Sequence, residues 1–215
     1  GGWRSVDILL NETTNTVIAD NNIIGVGEPL GISGVHVYAS TNITLTGNNI
    51  TGIGGIDLFN SSHVSVAENN IAKGGIGLSK SFNNSVTGNN LTENRGSAIL
   101  LSESFNNTIA GNKITGWIHP VYGYLGVGIQ LRAYPGENGS AYNTFYDNDI
   151  RNCGYVLFIP YYRDGARHHN NFFLRNNIAN NYQGVELYHC FNFTFKDNTL
   201  SENQYNFGVY GFDLL

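Results

Sequence analysis

A triplet that starts with asparagine and ends with isoleucine or leucine occurs eight times: Asn21-Asn22-Ile23, Asn48-Asn49-Ile50, Asn69-Asn70-Ile71, Asn89-Asn90-Leu91, Asn112-Lys113-Ile114, Asn148-Asp149-Ile150, Asn176-Asn177-Ile178 and Asn198-Thr199-Leu200. The first asparagines are separated by 27, 21, 20, 23, 36, 28 and 22 residues, so the unit is near 20 residues and the longer intervals carry insertions. A repeat of that length restricts the chain to stacked arrays of one small unit. Two further runs recur within it. One is a Gly-led or Ala-led strand: "GVHVY" from Gly34, "GIDLF" from Gly55, "GIGLS" from Gly75, "AILLS" from Ala98, "GIQLR" from Gly128 and "GVELY" from Gly184. The other leads into the asparagine, as in "NITLTGNN" (42–49), "HVSVAENN" (63–70) and "FTFKDN" (193–198). All alternate with period 2, and no 3.6-residue helical period competes with them. Three short strands per unit, repeated eight times, predict an all-β parallel solenoid of about eight coils.

In such a solenoid equivalent residues lie above one another about 4.8 Å apart, the strand spacing. A column of amides at that distance can hydrogen-bond along the axis, and asparagine also tolerates the left-handed backbone of a tight corner. Asn21, Asn48, Asn69, Asn89, Asn112, Asn148, Asn176 and Asn198 are therefore expected to form an Asn ladder at a corner. Asn84, Asn107, Asn143 and Asn171, five residues earlier in their coils, suggest a second ladder.

This G-[IV]-x-L … N-x-[IL]-[TS]-[GA]-N-x-[IL] grammar, running from about Val6 to Leu215, resembles the parallel β-helix repeats of the pectate-lyase-like superfamily. The likeness is to its NosD-like, carbohydrate-binding and sugar-hydrolase type repeats. It implies a right-handed parallel β-helix forming a single β-solenoid domain over residues 1–215. Lyases, epimerases, adhesins and envelope proteins share this fold, so it does not select a function.

The net charge of −5 and only eleven scattered Lys and Arg argue against nucleic acid and anionic membranes as partners. No apolar run reaches the roughly 18 residues of a membrane span. The chain opens on Gly and contains no Met, from which a signal peptide is expected to have been removed or left out. Nine N-x-S/T sequons, at Asn11, Asn42, Asn49, Asn60, Asn83, Asn90, Asn106, Asn138 and Asn192, point to a glycosylated extracellular or cell-surface protein. Cys153 and Cys190 fall at different places in their coils, which leaves three possibilities: a loop-assisted bridge, two free thiols, or links between chains. Two cysteines cannot build a structural zinc site. The NosD likeness raises copper, but no Met is present and the histidines at 36, 63, 119, 168, 169 and 189 show no repeated ligand spacing. No metal and no other cofactor are expected.

The outward residues of the first strand are expected to form the column Asp7, His36, Asp57, Gly77, Leu100, Gln130, Leu157 and Glu186. Asp7, His36 and Asp57 would lie on neighbouring coils within reach of a shared proton. This position resembles the one where the superfamily keeps catalytic carboxylates. "YGFD" (210–213) resembles the start of the Y-G-[FI]-D-P-H motif of alginate epimerases but continues Leu214-Leu215, without the proline and histidine. Insertions at 116–127, 132–141 and 160–169, rich in Tyr, Arg and His, are expected to gather on one side. Three functions follow. The favoured one is a structural, self-associating envelope or sheath glycoprotein that joins head-to-tail through the core-type end strands "VDILL" (6–10) and "FGVYGFDLL" (207–215). The alternatives are a carbohydrate-binding or adhesive module, which makes glycans a further partner class, and a polysaccharide lyase, hydrolase or epimerase.

Overall fold

The computed structural model describes residues 7–25, 34–52, 54–119, 121–134, 136–159, 167–188 and 190–210. Among them every regular element is a strand. Among the described residues no helix is long and apolar enough to cross a membrane. The strands stack into three long parallel sheets. Sheet A holds Ile8–Asn11, Gly34–Tyr38, Gly55–Phe59, Gly75–Ser79, Ser97–Ser102, Val127–Arg132, Tyr155–Phe158, Gln183–Tyr188 and Tyr205–Tyr210, in chain order. The first eight of these open coils one to eight. Sheet B runs from Thr14–Ala19 to Thr194–Lys196, and sheet C from Asn22–Ile24 to Thr199–Ser201, each with one strand per coil. The chain is thus a parallel β-solenoid of about eight turns.

Chain turns between the sheets fall on single residues in the left-handed region. Asn42, His63, Asn83 and Asn106 precede sheet B, Asp20, Glu68 and Asp147 precede sheet C, and Lys73, Glu93 and Asn152 lead back to sheet A. Asparagine and aspartate enter that region more readily than other residues with a β-carbon, and His63, Glu68, Lys73 and Glu93 occupy it as well. The leading glycine of "GI-L" has a different cause. Gly34 and Gly55 have φ of 145° and 148°, and a β-carbon on either would run into the backbone of the glycine in the next coil.

Inward residues stack by type. Ile23, Ile50, Ile71, Leu91, Ile114, Ile150, Ile178 and Leu200 form one register column in sheet C. All but the half-buried Leu200 are buried. Each fully buried member contributes roughly 1.5–3 kcal/mol through removal of apolar surface from water. Beside this column runs the asparagine ladder. Every Nδ2 donates to the Oδ1 of the next rung, from Asn21 to Asn198, at 2.9–3.0 Å. The same Oδ1 also accepts the backbone N–H of the preceding rung. The second ladder, Asn84–Asn107–Asn143–Asn171, repeats the pattern.

Three further ladders escape a reading for asparagine triplets alone. Ser40, Ser61, Ser81, Ser104 and Ser140 link by backbone N–H to hydroxyl bonds at 3.2 Å. The column ends where the Ser140 N–H donates to Nδ1 of the buried His168. The serine positions are separated by 21, 20, 23 and 36 residues, the same steps as Asn48 to Asn148, and that coincidence is a signal the sequence contains. On the outer face of sheet C, Asn22, Asn49, Asn70 and Asn90 form an amide ladder in the solvent. The third internal column joins Cys153, Asn181 and Asn203.

The insertions do not share one corner. Residues 116–127 form an antiparallel hairpin, with Lys113–His119 paired to Gly123–Leu125, between sheets C and A. Residues 132–141 and 160–169 instead follow sheet A in coils six and seven. The second and third insertions share their turns with ladder side chains, Ser140 and Asn143 in coil six and His168 and Asn171 in coil seven. Residues 160–166 of the third, and Gly211–Leu215 of the closing strand, lie outside the described residues.

Candidate functional site: the outer face of sheet A

The outward column of sheet A reads Leu9, His36, Asp57, Gly77, Leu100, Gln130, Phe158, Glu186 and Gly208. Two expectations need correction. Asp7 precedes the first strand and is exposed, and pairing from Ile8 sets Leu9 against His36. Leu157 points inward opposite Ile129, and Phe158 takes the outward place. In both strands the usual leading glycine is missing, so nothing local marks where pairing starts.

His36 and Asp57 are brought together, with Nδ1 to Oδ2 at 3.8 Å, longer than a hydrogen bond. His36 is buried, and its Nε2 has no hydrogen-bond partner. The Asp57 carboxyl lies over Gly77, where a β-carbon would strike it. Partial loss of water raises that carboxyl above its ordinary value, against the pull of His36. Its side chain keeps 55% of its surface, so solvent holds the effect small. An imidazole facing a carboxylate can pass a proton, but among the described residues no second pair of acid and base completes a reaction centre around it.

Coils five to eight carry a different chemistry. Between the edges of the face, the Ser97 hydroxyl donates to Gln130 at 2.6 Å, and the Tyr188 hydroxyl donates to the buried Glu186 at 2.8 Å. The Arg132 guanidinium sits 5.3 Å above the Tyr134 ring. Along the edge toward sheet C, Arg95 lies 4.1 Å above Trp117 in the hairpin, and Tyr182 meets Tyr205 edge-on at 5.7 Å. Tyr122, Tyr124, Tyr182 and Tyr205 are exposed there. The sequence pointed to the Tyr-rich insertions. It did not show that Tyr155, Tyr182 and Tyr205, from regular coils, join the same edge.

Cys153 and Cys190 are free. Cys153 is buried and takes an asparagine's place in the third internal column: its S–H donates to the Arg151 carbonyl and the Gly116 N–H reaches its sulfur. Burial pushes its thiol up to about 12, and that of Cys190 up to about 11. Neither is a ready nucleophile, and Cys153 is closed to a link between chains. Iodoacetamide at pH 8 is expected to leave Cys153 unmodified in the folded protein and to label it fully in denaturant, as read by peptide mass.

A family model described as "Periplasmic copper-binding protein (NosD)" matches residues 2–178. No curated protein sequence matches. Among solved structures, the periplasmic alginate epimerase AlgG is similar at 17% identity with a TM-score of 0.59, covering 91% of this chain and 48% of that one. A mutant of AlgG aligns at 17% identity with a TM-score of 0.62, over 96% and 48%. The chain therefore spans about half the length of these enzymes, and the likeness is one of fold. The described residues do not fit copper. No three His, Cys, Asp or Glu cluster among them. His168 offers Nδ1 to the Ser140 N–H, and both thiols hold their protons.

Proposed function

This chain belongs to the NosD family, and from that premise we propose that it is an exported protein that binds an extended polysaccharide along the outer face of sheet A. The observation that carries the reading is the aromatic edge toward sheet C on coils five to eight, with Gln130, Arg132, Glu186 and Tyr188 on the face beside it. Sugar rings present apolar C–H faces that stack on tyrosine and tryptophan, while their hydroxyls need paired donors and acceptors. Nine parallel strands at about 4.8 Å give a face long enough for several sugar units. AlgG, of similar fold, is by its name an enzyme of the polysaccharide alginate. Binding rather than turnover is proposed because the aromatic edge lies coils away from His36 and Asp57. The family supports export to a periplasm-like compartment, a broader location than the cell surface.

Affinity electrophoresis in gels containing neutral polysaccharides, or alginate and other polyuronates, tests this. Retardation by at least one polymer is expected. Tyr182→Ala should weaken it about tenfold, the effect of losing one stacked ring, and Asn90→Ala on sheet C should leave it unchanged. No retardation by any polymer would refute the reading.

One observation favours a second reading, head-to-tail association. On the last described coil Phe195 and Leu200 are only half-buried and Phe207 is 52% exposed, which leaves apolar surface on that coil. A second copy or a further coil of the same chain would cover it. Sedimentation velocity decides: a monomer at all concentrations removes the second copy. The envelope or sheath role gains no support from fold or family.

A further inference from the structure

Four of the nine sequons share one structural frame. Asn42, Asn83, Asn106 and Asn192 occupy equivalent left-handed corner positions at the entry to sheet B, with φ between 53° and 57°. In each the sequon hydroxyl, Thr44, Ser85, Thr108 or Thr194, is an outward residue of the following sheet B strand, in register from coil to coil. All four asparagines are exposed, and their side-chain amides make no hydrogen bond among the described residues. In three of them the residue before the asparagine is a phenylalanine. Phe82 and Phe191 are 43% and 45% exposed, and Phe105 is half-buried.

Asn49 and Asn90 are sequon residues of another kind. Their amides are rungs of the outer ladder: Asn49 Nδ2 donates to Asn22 at 3.0 Å and Asn90 Nδ2 to Asn70 at 2.9 Å. An N-linked sugar replaces a hydrogen on that nitrogen, and the next rung is only about 4.8 Å away. A glycan there would push the ladder apart.

We propose that the corner before sheet B is the glycan-bearing edge of this protein, with N-linked sugar at Asn42, Asn83, Asn106 and Asn192 and none at Asn49 or Asn90. The exposed phenylalanines supply what a solvent-facing corner otherwise lacks, an apolar surface for the first sugar of each chain to cover. Phe82 and Phe191, 43% and 45% exposed, stand next to the attachment points at Asn83 and Asn192, where a sugar folding back would cover them. The assignment is independent of polysaccharide binding by sheet A, and either can fail alone.

Glycopeptide mapping of the protein purified from the envelope fraction of its own cells is the test. Sugar on the peptides of Asn42, Asn83, Asn106 and Asn192, with bare Asn49 and Asn90, is the expected result. Unmodified peptides at the four corner sites, or sugar at Asn49 or Asn90, overturn it. The stacking is read separately by melting temperature before and after enzymatic deglycosylation. Phe82→Ala and Phe191→Ala should lower the midpoint of the glycosylated protein more than that of the stripped one, and equal shifts would refute the covering role.

Discussion

Replacing Asn89 by leucine is expected to destabilise the protein by roughly 3–5 kcal/mol, since at least two buried groups lose their partner at about 1–3 kcal/mol each. Asn89 Oδ1 accepts both the backbone N–H and the side-chain amide of Asn69 at 3.0 Å. Its Nδ2 donates to the carbonyls of Val66 and Thr87 and to Asn112. Leucine fills a similar volume but answers none of these, and no water replaces them because Asn89 and its neighbouring rungs Asn69 and Asn112 are buried. The neighbouring Asn90 makes a ladder bond of the same length in the solvent, where water replaces it. Asn90→Ala should therefore change stability by no more than about 0.5 kcal/mol. Urea unfolding of the two variants gives the comparison, and equal losses would show that the amide columns do not depend on burial.

Acid should weaken the protein through one histidine. Burial pushes His168 down to about 4 from its ordinary 6.5, and His169 beside it acts in the same direction. The Ser140 N–H bonded to Nδ1 at 3.0 Å requires that nitrogen to be free of a proton. The unfolded chain takes up a proton below about pH 6.5, whereas the folded chain refuses it until about pH 4. Stability is then full above pH 6.5 and falls as pH drops through that window, by about 3 kcal/mol in all. His168→Asn keeps an acceptor for the Ser140 N–H and removes the titration. Its unfolding free energy should vary less between pH 7 and 4 than that of the parent by about that amount, and parallel profiles would clear His168 of the effect.

Much of the architecture is legible without coordinates because the solenoid turns sequence period into contact. The Asn48 to Asn176 triplets, the apolar column Ile50 to Ile178 and the second ladder at Asn84 all lie where their spacing puts them. The serine column was equally present in the spacing. It is harder to see because serine, unlike a repeated Asn-x-Ile, is common in turns for local reasons.

The candidate site was only partly legible. His36 and Asp57 adjoin because both strands begin at a glycine, Gly34 and Gly55, which fixes their register. Asp7, just before the first strand, and Leu157, inside the seventh, lie where that marker is missing, and a pairing offset invisible in period-2 alternation moved them off the column.

The sequence by itself determined that the chain coils, which residues stack, and that amides rather than apolar groups line the corners. Those are properties of a repeat, set by residue type and interval alone. Only the tertiary structure decided that Cys153 stands in for an asparagine, that an aromatic edge runs along sheet A, and that Asn49 and Asn90 are tied while Asn83 and Asn192 are free. Those depend on which corner each insertion leaves open and on which way a side chain leaves the turn. Closure of the coil in three dimensions sets both, and neither is encoded in the interval between repeats.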